Sequence, residues 1–209
     1  MKDLVIGAIG DYQFEQIQNW VYSLNKCGFE GDKILVSYNS NDALIKELRE
    51  NGIEVYEIET DARGQKVNQF INSGHVNASN AHLLVHNVRF FHMWQLLNQF
   101  KADGRLFNRI IHTDVRDVIF QNNPSDWLDM NMTTEIVSPS ESVKYWDEPW
   151  NRDNFRRSFG DITFMNLAPN MLVSNVGTFA AKSDTAIDLC LHIYLLTVGQ
   201  WHTDQPAFN

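Results

Sequence analysis

The sequence predicts an α/β fold, a mixed and mainly parallel central sheet flanked by helices, and three observations predict it. The first sixty residues alternate strand, helix, strand, helix, strand, an order that builds a parallel sheet with helices on its faces. A long helix with a broad apolar face then leads into a fourth strand, so that helix is expected to lie against the sheet. Apolar residues are 44% and charged residues 21% of 209, the composition of one globular domain with a full core.

Each element has its own signal. Leu4 to Ile9 is a continuous apolar run closed by Gly10-Asp11, which reads as a buried strand. Asp11 is expected to cap the helix that follows, where Phe14, Ile17, Val21 and Leu24 recur at helical spacing and Gly28 ends the run. Ile34 to Tyr38 is a second strand. Ser40 or Asn41 caps a second helix carrying Leu44, Ile45 and Leu48, and Asn51-Gly52 stops it. Ile53 to Ile58 alternates as a third strand, and residues 60–80 are polar and read as a loop. The long helix is expected from about Ala81 to Phe100, with Leu84, Val88, Phe91, Trp94 and Leu97 on its apolar face. Arg109 to Thr113 is the fourth strand.

Residues 139–160 show no clean period. Tyr145, Trp146, Trp150 and Phe155 alternate with Asp147, Glu148, Arg152, Arg156 and Arg157. Met171 to Ser174 and Thr178 to Ala181 read as strands flanking Asn175-Val176-Gly177, and Asp184 to Leu196 as the last full helix. Pro206 after an acidic residue reads as one more helix start. A helix opening so near the last residue makes this chain an expected piece of a longer protein.

The net charge of −9 argues against a nucleic-acid partner, because phosphate backbones are held mainly by Lys and Arg. No run approaches the ~18–20 apolar residues of a membrane span, and the segment Met1 to Gly7 holds too short an apolar run to be expected as a signal peptide. Cys27 and Cys190 each sit in an apolar helical run and are expected as free thiols, which suits a cytoplasmic compartment.

Ligands on parallel sheets bind beyond the carboxyl ends of the strands. That singles out Thr113-Asp114-Val115-Arg116-Asp117, where two carboxylates leave an apolar strand. Such oxygen ligands suit magnesium or manganese, with waters and substrate phosphates completing the shell. A cation so held neutralises a diphosphate and stabilises it as a leaving group. A strand-end turn with Arg116 paired to an acid fits the spacing equally well. There is no G-x-G-x-x-G, which disfavours a dinucleotide cofactor. His82 and His86 are four apart, but no Glu follows His82 and no third ligand is evident, so they read as structural.

The segment Thr113 to Gln121 resembles the Asp-x-Asp region of GT-A fold nucleotide-sugar glycosyltransferases, in its Thr-Asp-x-Arg-Asp-x-x-Phe-Gln variant. A Rossmann-like first half, the long helix, Asn175-Val176-Gly177 and Asp204-Gln205 extend the resemblance over nearly the whole chain. Within that fold it is similar to the glycosyltransferase domains of large algal DNA viruses, which build capsid glycans. The resemblance implies a single GT-A domain over residues 1–209. Residues 1–113 would form the nucleotide-binding half and 114–209 the metal and acceptor half. It implies transfer from a nucleotide-diphosphate sugar, UDP foremost, to a glycan or capsid glycoprotein, with Mn2+ or Mg2+.

The resemblance also implies roles. Ile9, Gly10, Asp11 and Tyr12 would meet the base and ribose, although a turn with an N-cap explains Asp11 as well. Arg89 on the long helix would face the nucleotide, or simply be solvated; Asp114, Val115 and Asn175 complete the donor set. Asp114, Asp117 and His202 are the metal candidates. Asp204 is the candidate base, a role compatible with capping a helix; His202 is equally a base candidate or a packed histidine. Inversion is expected from a lone base with no evident nucleophile. One departure stands out. Arg116 takes the second acidic place of a strict Asp-x-Asp and Asp117 comes one residue late, so Asp114 is the primary residue. Asp117 would meet the metal, a water of its shell, or sugar and ribose hydroxyls. Trp146 and Trp150 suit an acceptor platform or the packing of a small subdomain. Two other functions fit less well. One is a non-catalytic carbohydrate-binding domain using those tryptophans. The other is a sugar nucleotidyltransferase, which would want a basic Gly-rich loop where Gly10-Asp11-Tyr12-Gln13 stands.

Overall fold

A computed structural model describes residues 1–10, 12–58, 85–197 and 204–209. The expected alternation is present as β1 (Lys2–Ile9), α1 (Phe14–Lys26), β2 (Asp32–Tyr38), α2 (Asp42–Glu50) and β3 (Glu54–Ile58). The long helix is described as α3 (Val85–Ala102) and leads to β4 (Phe107–Thr113); the expected turn from Ala81 lies outside the described residues. β1 pairs in parallel with both β2 and β4, and β2 with β3. Two later strands, β5 (Ile136–Val137) and β8 (Thr178–Lys182), extend the sheet, with β8 antiparallel to both β4 and β5. The six-stranded order is β3-β2-β1-β4-β8-β5, a mixed and mainly parallel sheet. The chain builds outward from β1 to β3, and α3 then returns it to the other side of β1. Strand order therefore reverses between β1 and β4, which is where open α/β sheets form a crevice at their carboxyl ends.

Period-two alternation divides the core. Val5, Ile9, Leu35, Val55 and Ile111 face the helices α1 and α2. Leu4, Ile6, Ile34, Val36 and Ile110 face α3 and α6 (Ser183–Thr197). Both faces of the sheet are covered, so its strands read as continuous apolar runs. α1 is not capped where expected: Gln13 is the N-cap, its main-chain N–H donating to Gln16 Oε1 at 2.8 Å. Asp11 lies outside the described residues. Asn41 caps α2, accepting from the Leu44 N–H at 2.9 Å.

Residues 139–160 resolve into β6 (Ser140–Lys144) and the start of α5 (Pro149–Leu167). β6 pairs with β7 (Leu172–Ser174) in a separate two-stranded sheet. Tyr145, Phe155, Phe164, Ala168 and Val173 form a small core of their own. No helical period was visible because α5 is broken at Gly160, φ 82°, and buries few side chains. A further helix, α4 (Pro124–Asn131), went unexpected, since only Leu128 on it is buried. The last element, α7 (Asp204–Phe208), starts where Pro206 implies. Among the described residues no helix is long and apolar enough to cross a membrane.

Candidate active site

The carboxyl ends of β1 and β4 open into a cavity of about 550 Å³. Gly10 and Tyr12 reach it from β1, Asp114 and Asp117 from β4, Arg89 from α3 and Asp204 from α7. Arg89 is the centre of its charge. Only 7% exposed, it donates through Nη1 to Asp114 Oδ1 at 2.5 Å and through Nη2 to Asp204 Oδ2 at 3.2 Å. Burial pushes the Asp114 carboxyl up, but the positive groups around it, the Arg89 guanidinium foremost, together hold it below the usual carboxylate range. Burial likewise opposes the charge of Arg89, and the two aspartates restore it. This is a charged triad, since a buried ion needs partners of opposite sign.

A second polar group is built around Glu141 of β6. Gln205 Nε2 and Asn175 Nδ2 donate to its Oε1 at 2.6 and 3.2 Å, and Asn151 Nδ2 donates to its Oε2 at 3.1 Å. Gln205 accepts in turn from the Val176 N–H at 2.9 Å, and Asn175 Oδ1 from the Gly177 N–H at 2.7 Å. The Asn175-Val176-Gly177 turn therefore joins the small sheet, the main sheet and α7 at the cavity wall. Trp150, 53% exposed, stands at the same rim.

Of the residues singled out by sequence, Gly10, Tyr12, Arg89, Asp114, Val115, Asp117, Asn175 and Asp204 all line this cavity. Val115 has its side chain in the core, where it would meet any Cβ on Gly7. Ile9 is fully buried in the core and is not part of the lining. Asp11 and His202 lie outside the described residues. Trp146, half-exposed, stacks on Phe164 rather than lining the cavity. Arg156 pairs with Asp161 on the surface. His86 lines the cavity and lies near enough to Asp114 to favour its charged form. His112 is buried between Phe90 and Phe179, and burial pushes its ring down to about 3, so it is neutral. Glu141 and Asn151 carry no motif, and Gln205 entered only as part of the Asp204-Gln205 element, with no role assigned to it.

No protein-family profile matches the sequence. No curated protein matches it either. Solved structures do match, among them a crystal structure of glucosyl-3-phosphoglycerate synthase from Mycobacterium tuberculosis in complex with uridine diphosphate. It is similar at a TM-score of 0.45 and 14% identity, over 88% of this chain and 57% of that one. The chain thus spans less than two thirds of that protein's length.

Proposed function

We propose that the chain is a glycosyltransferase that moves a sugar from a nucleotide-diphosphate donor, a uridine one foremost, to a hydroxyl of a glycan or glycoprotein. The observation that carries this reading is the cavity at the reversal of strand order, shared by Gly10 and Tyr12 with Arg89, Asp114 and Asp204. Nucleotides on open α/β sheets take this place. Gly10 permits close approach of a ligand to the backbone, and the half-buried Tyr12 offers a ring face to a base.

A diphosphate entering here meets the carboxylates of Asp114, Asp117, Glu141 and Asp204 against the guanidinium groups of Arg89 and Arg116. The lining is acidic on balance, and Arg89 is already paired twice. A divalent cation fits this donor set. Asp114, whose side chain is 41% exposed, would hold Mn2+ or Mg2+ together with Asp117, which lines the same cavity. Among the described residues no three His, Cys, Asp or Glu side chains form a ready-made cage; a hard cation completed by waters and substrate phosphates needs none. When bound, the cation neutralises the diphosphate as it leaves. Arg89 orients Asp114, and a cavity carboxylate takes the acceptor's proton as its oxygen attacks the anomeric carbon. A single displacement of this kind inverts that carbon. Asp204, the base candidate by resemblance, lies in the cavity wall.

Two measurements test the reading. Calorimetric titration with UDP should show binding that strengthens with Mn2+, and a panel of nucleotide-sugars with Mn2+ should show hydrolysis of one donor. Asp114→Ala should abolish that turnover; full metal-dependent activity in this variant would overturn the site assignment. The exposed Trp150 favours one second reading, a carbohydrate-binding domain without catalysis. That protein would bind sugar and show no metal-linked nucleotide binding.

A further inference from the structure

We infer that Glu141, rather than Asp204, is the carboxylate that takes the proton from the acceptor hydroxyl, an inference that rests on the glycosyl-transfer reading above. The two carboxylates differ in what holds them. Asp204 has one oxygen on Arg89 at 3.2 Å and the other on the Gln205 N–H at 2.9 Å. Its side chain is 11% exposed. A proton placed there removes half of the charge that balances a buried guanidinium, and leaving a buried ion short of its partner is costly. Asp114 is bound to the same guanidinium. Asp117 is exposed, and among the described residues no side chain orients it.

Glu141 is held differently. Three neutral amides fix it, Asn151 from α5, Asn175 from the turn before β8 and Gln205 from α7. Among the described residues no cation pairs with it. A carboxylate offers about four acceptor positions, and the three amides leave one for a hydroxyl. Amide donors set the direction of that position without neutralising the charge, so a proton arriving there strands no cation. Trp150, next to Asn151 in the chain, lines the same cavity, and its exposed ring suits the C–H face of a sugar. An acceptor sugar lying on Trp150 brings a hydroxyl to Glu141. In the step itself the acceptor O–H proton passes to Glu141 and the acceptor oxygen forms a bond to the anomeric carbon. The bond from that carbon to the phosphate oxygen breaks, and its electron pair leaves with the nucleoside diphosphate. Asp204 is then a positioning residue that holds Arg89.

The test compares Glu141→Gln, Glu141→Asp and Asp204→Asn in the full chain. Nucleotide-sugar hydrolysis is followed with water, and then methyl glycosides, as acceptor, and UDP binding with Mn2+ is measured by calorimetry. Glu141→Gln should lower kcat by about 10²- to 10⁴-fold, the range for loss of a general base, and flatten the acidic limb of the pH–rate profile. UDP affinity with Mn2+ should stay within about threefold, a small difference on the scale of about 1.4 kcal/mol per decade. Glu141→Asp should recover part of the rate with the acidic limb restored. A Glu141→Gln kcat within about threefold of wild type, again well under one decade, overturns the inference. So does loss of UDP binding in step with rate, which would make Glu141 a donor-side or structural group. Flattening of the limb in Asp204→Asn but not in Glu141→Gln returns the role to Asp204. A wild-type chain that binds UDP with Mn2+ but turns over no nucleotide-sugar overturns the inference on catalysis. One that binds no nucleotide diphosphate overturns the glycosyl-transfer reading itself.

Discussion

The Asp114 carboxylate occupies the space that a side chain on Gly177 would fill. A Cβ at Gly177 would collide with Asp114 Oδ2 and lie 2.9 Å from Asn175 Oδ1. The main chains meet as well, the Asp114 N–H donating to the Gly177 carbonyl at 2.5 Å. Glycine stands here for close approach. Gly177→Ala should therefore push Asp114 off Arg89. The overpacking should cost about 1–3 kcal/mol, read as a lower urea midpoint. UDP binding with Mn2+ should weaken by at least about tenfold, or about 1.4 kcal/mol. Unchanged binding would mean that the ligand does not depend on where Asp114 points.

Arg89→Met leaves Asp114 and Asp204 in one cavity without the guanidinium that joins them. Breaking a fully buried pair costs about 3–5 kcal/mol. Asp114 still reaches solvent, with 41% of its side chain exposed, so the lower part of that range is expected. A cation should then replace what was lost. Millimolar Mn2+ should raise the unfolding midpoint of Arg89→Met more than that of wild type, because a ligand that binds only the folded state stabilises it. Equal shifts in both proteins would separate the metal from the Arg89 site.

The first half of the fold was legible because its signals are local. Buried parallel strands are continuous apolar runs, and α1 and α2 show helical spacing between turn residues. The reversal of order at β1 and β4 was not legible, since it depends on which strand α3 returns to. α5 was hidden because Gly160 interrupts it and its polar face is wide. The site divides the same way. Asp114 and Asp117 follow a strand end and could be found by position alone. Arg89 became central only when α3 placed it between two aspartates from distant parts of the chain. Glu141 carries no motif; what marks it is the convergence of Asn151, Asn175 and Gln205, which are far apart in sequence. Conversely Trp146, which resembled a platform residue beside Trp150, sits in the turn before α5 and stacks on Phe164 of that helix, away from the cavity lining.

Asp3 and Arg109 form a buried pair at the opposite end of the strands from the cavity. Arg109 donates to both Asp3 oxygens, with Nη2 to Oδ2 at 2.7 Å, and Ser125 Oγ adds a bond to Oδ2 at 2.6 Å. Asp3 is 5% and Arg109 8% exposed. Asp3→Ala leaves the guanidinium buried with one acid, Asp129, which is itself largely exposed. The loss should be about 3 kcal/mol in chemical unfolding. Below the transition, UDP affinity with Mn2+ should stay within about twofold, under 1 kcal/mol. A larger fall in affinity would mean that the two ends of the sheet are coupled.

The two thiols should behave differently. Cys190 is 2% exposed, and burial pushes its thiol up to about 12, against an ordinary value of 9.0. Cys27 is half-buried at the end of α1, its Sγ donating to the Leu24 carbonyl at 3.3 Å. At pH 8 a thiol reagent should titrate Cys27 in the folded chain and reach Cys190 only on unfolding, because the thiolate is the reactive form. The raised value also fixes a direction for stability. Between the unfolded and folded values the unfolded state loses the Cys190 proton and the folded state keeps it. The stabilisation is thus complete below about pH 9 and is lost as pH rises toward 12, at up to about 1.4 kcal/mol per pH unit. Buried tyrosines such as Tyr38, also pushed up by burial, add to the same fall, so the wild-type slope alone does not identify the group. Cys190→Ala isolates it: the variant starts from a lower midpoint at pH 8 because of the cavity, and its midpoint should fall less steeply between pH 9 and 11. Parallel slopes in the two proteins would show that Cys190 ionises alike folded and unfolded, and that the packing of α6 against α3 does not exclude water from it.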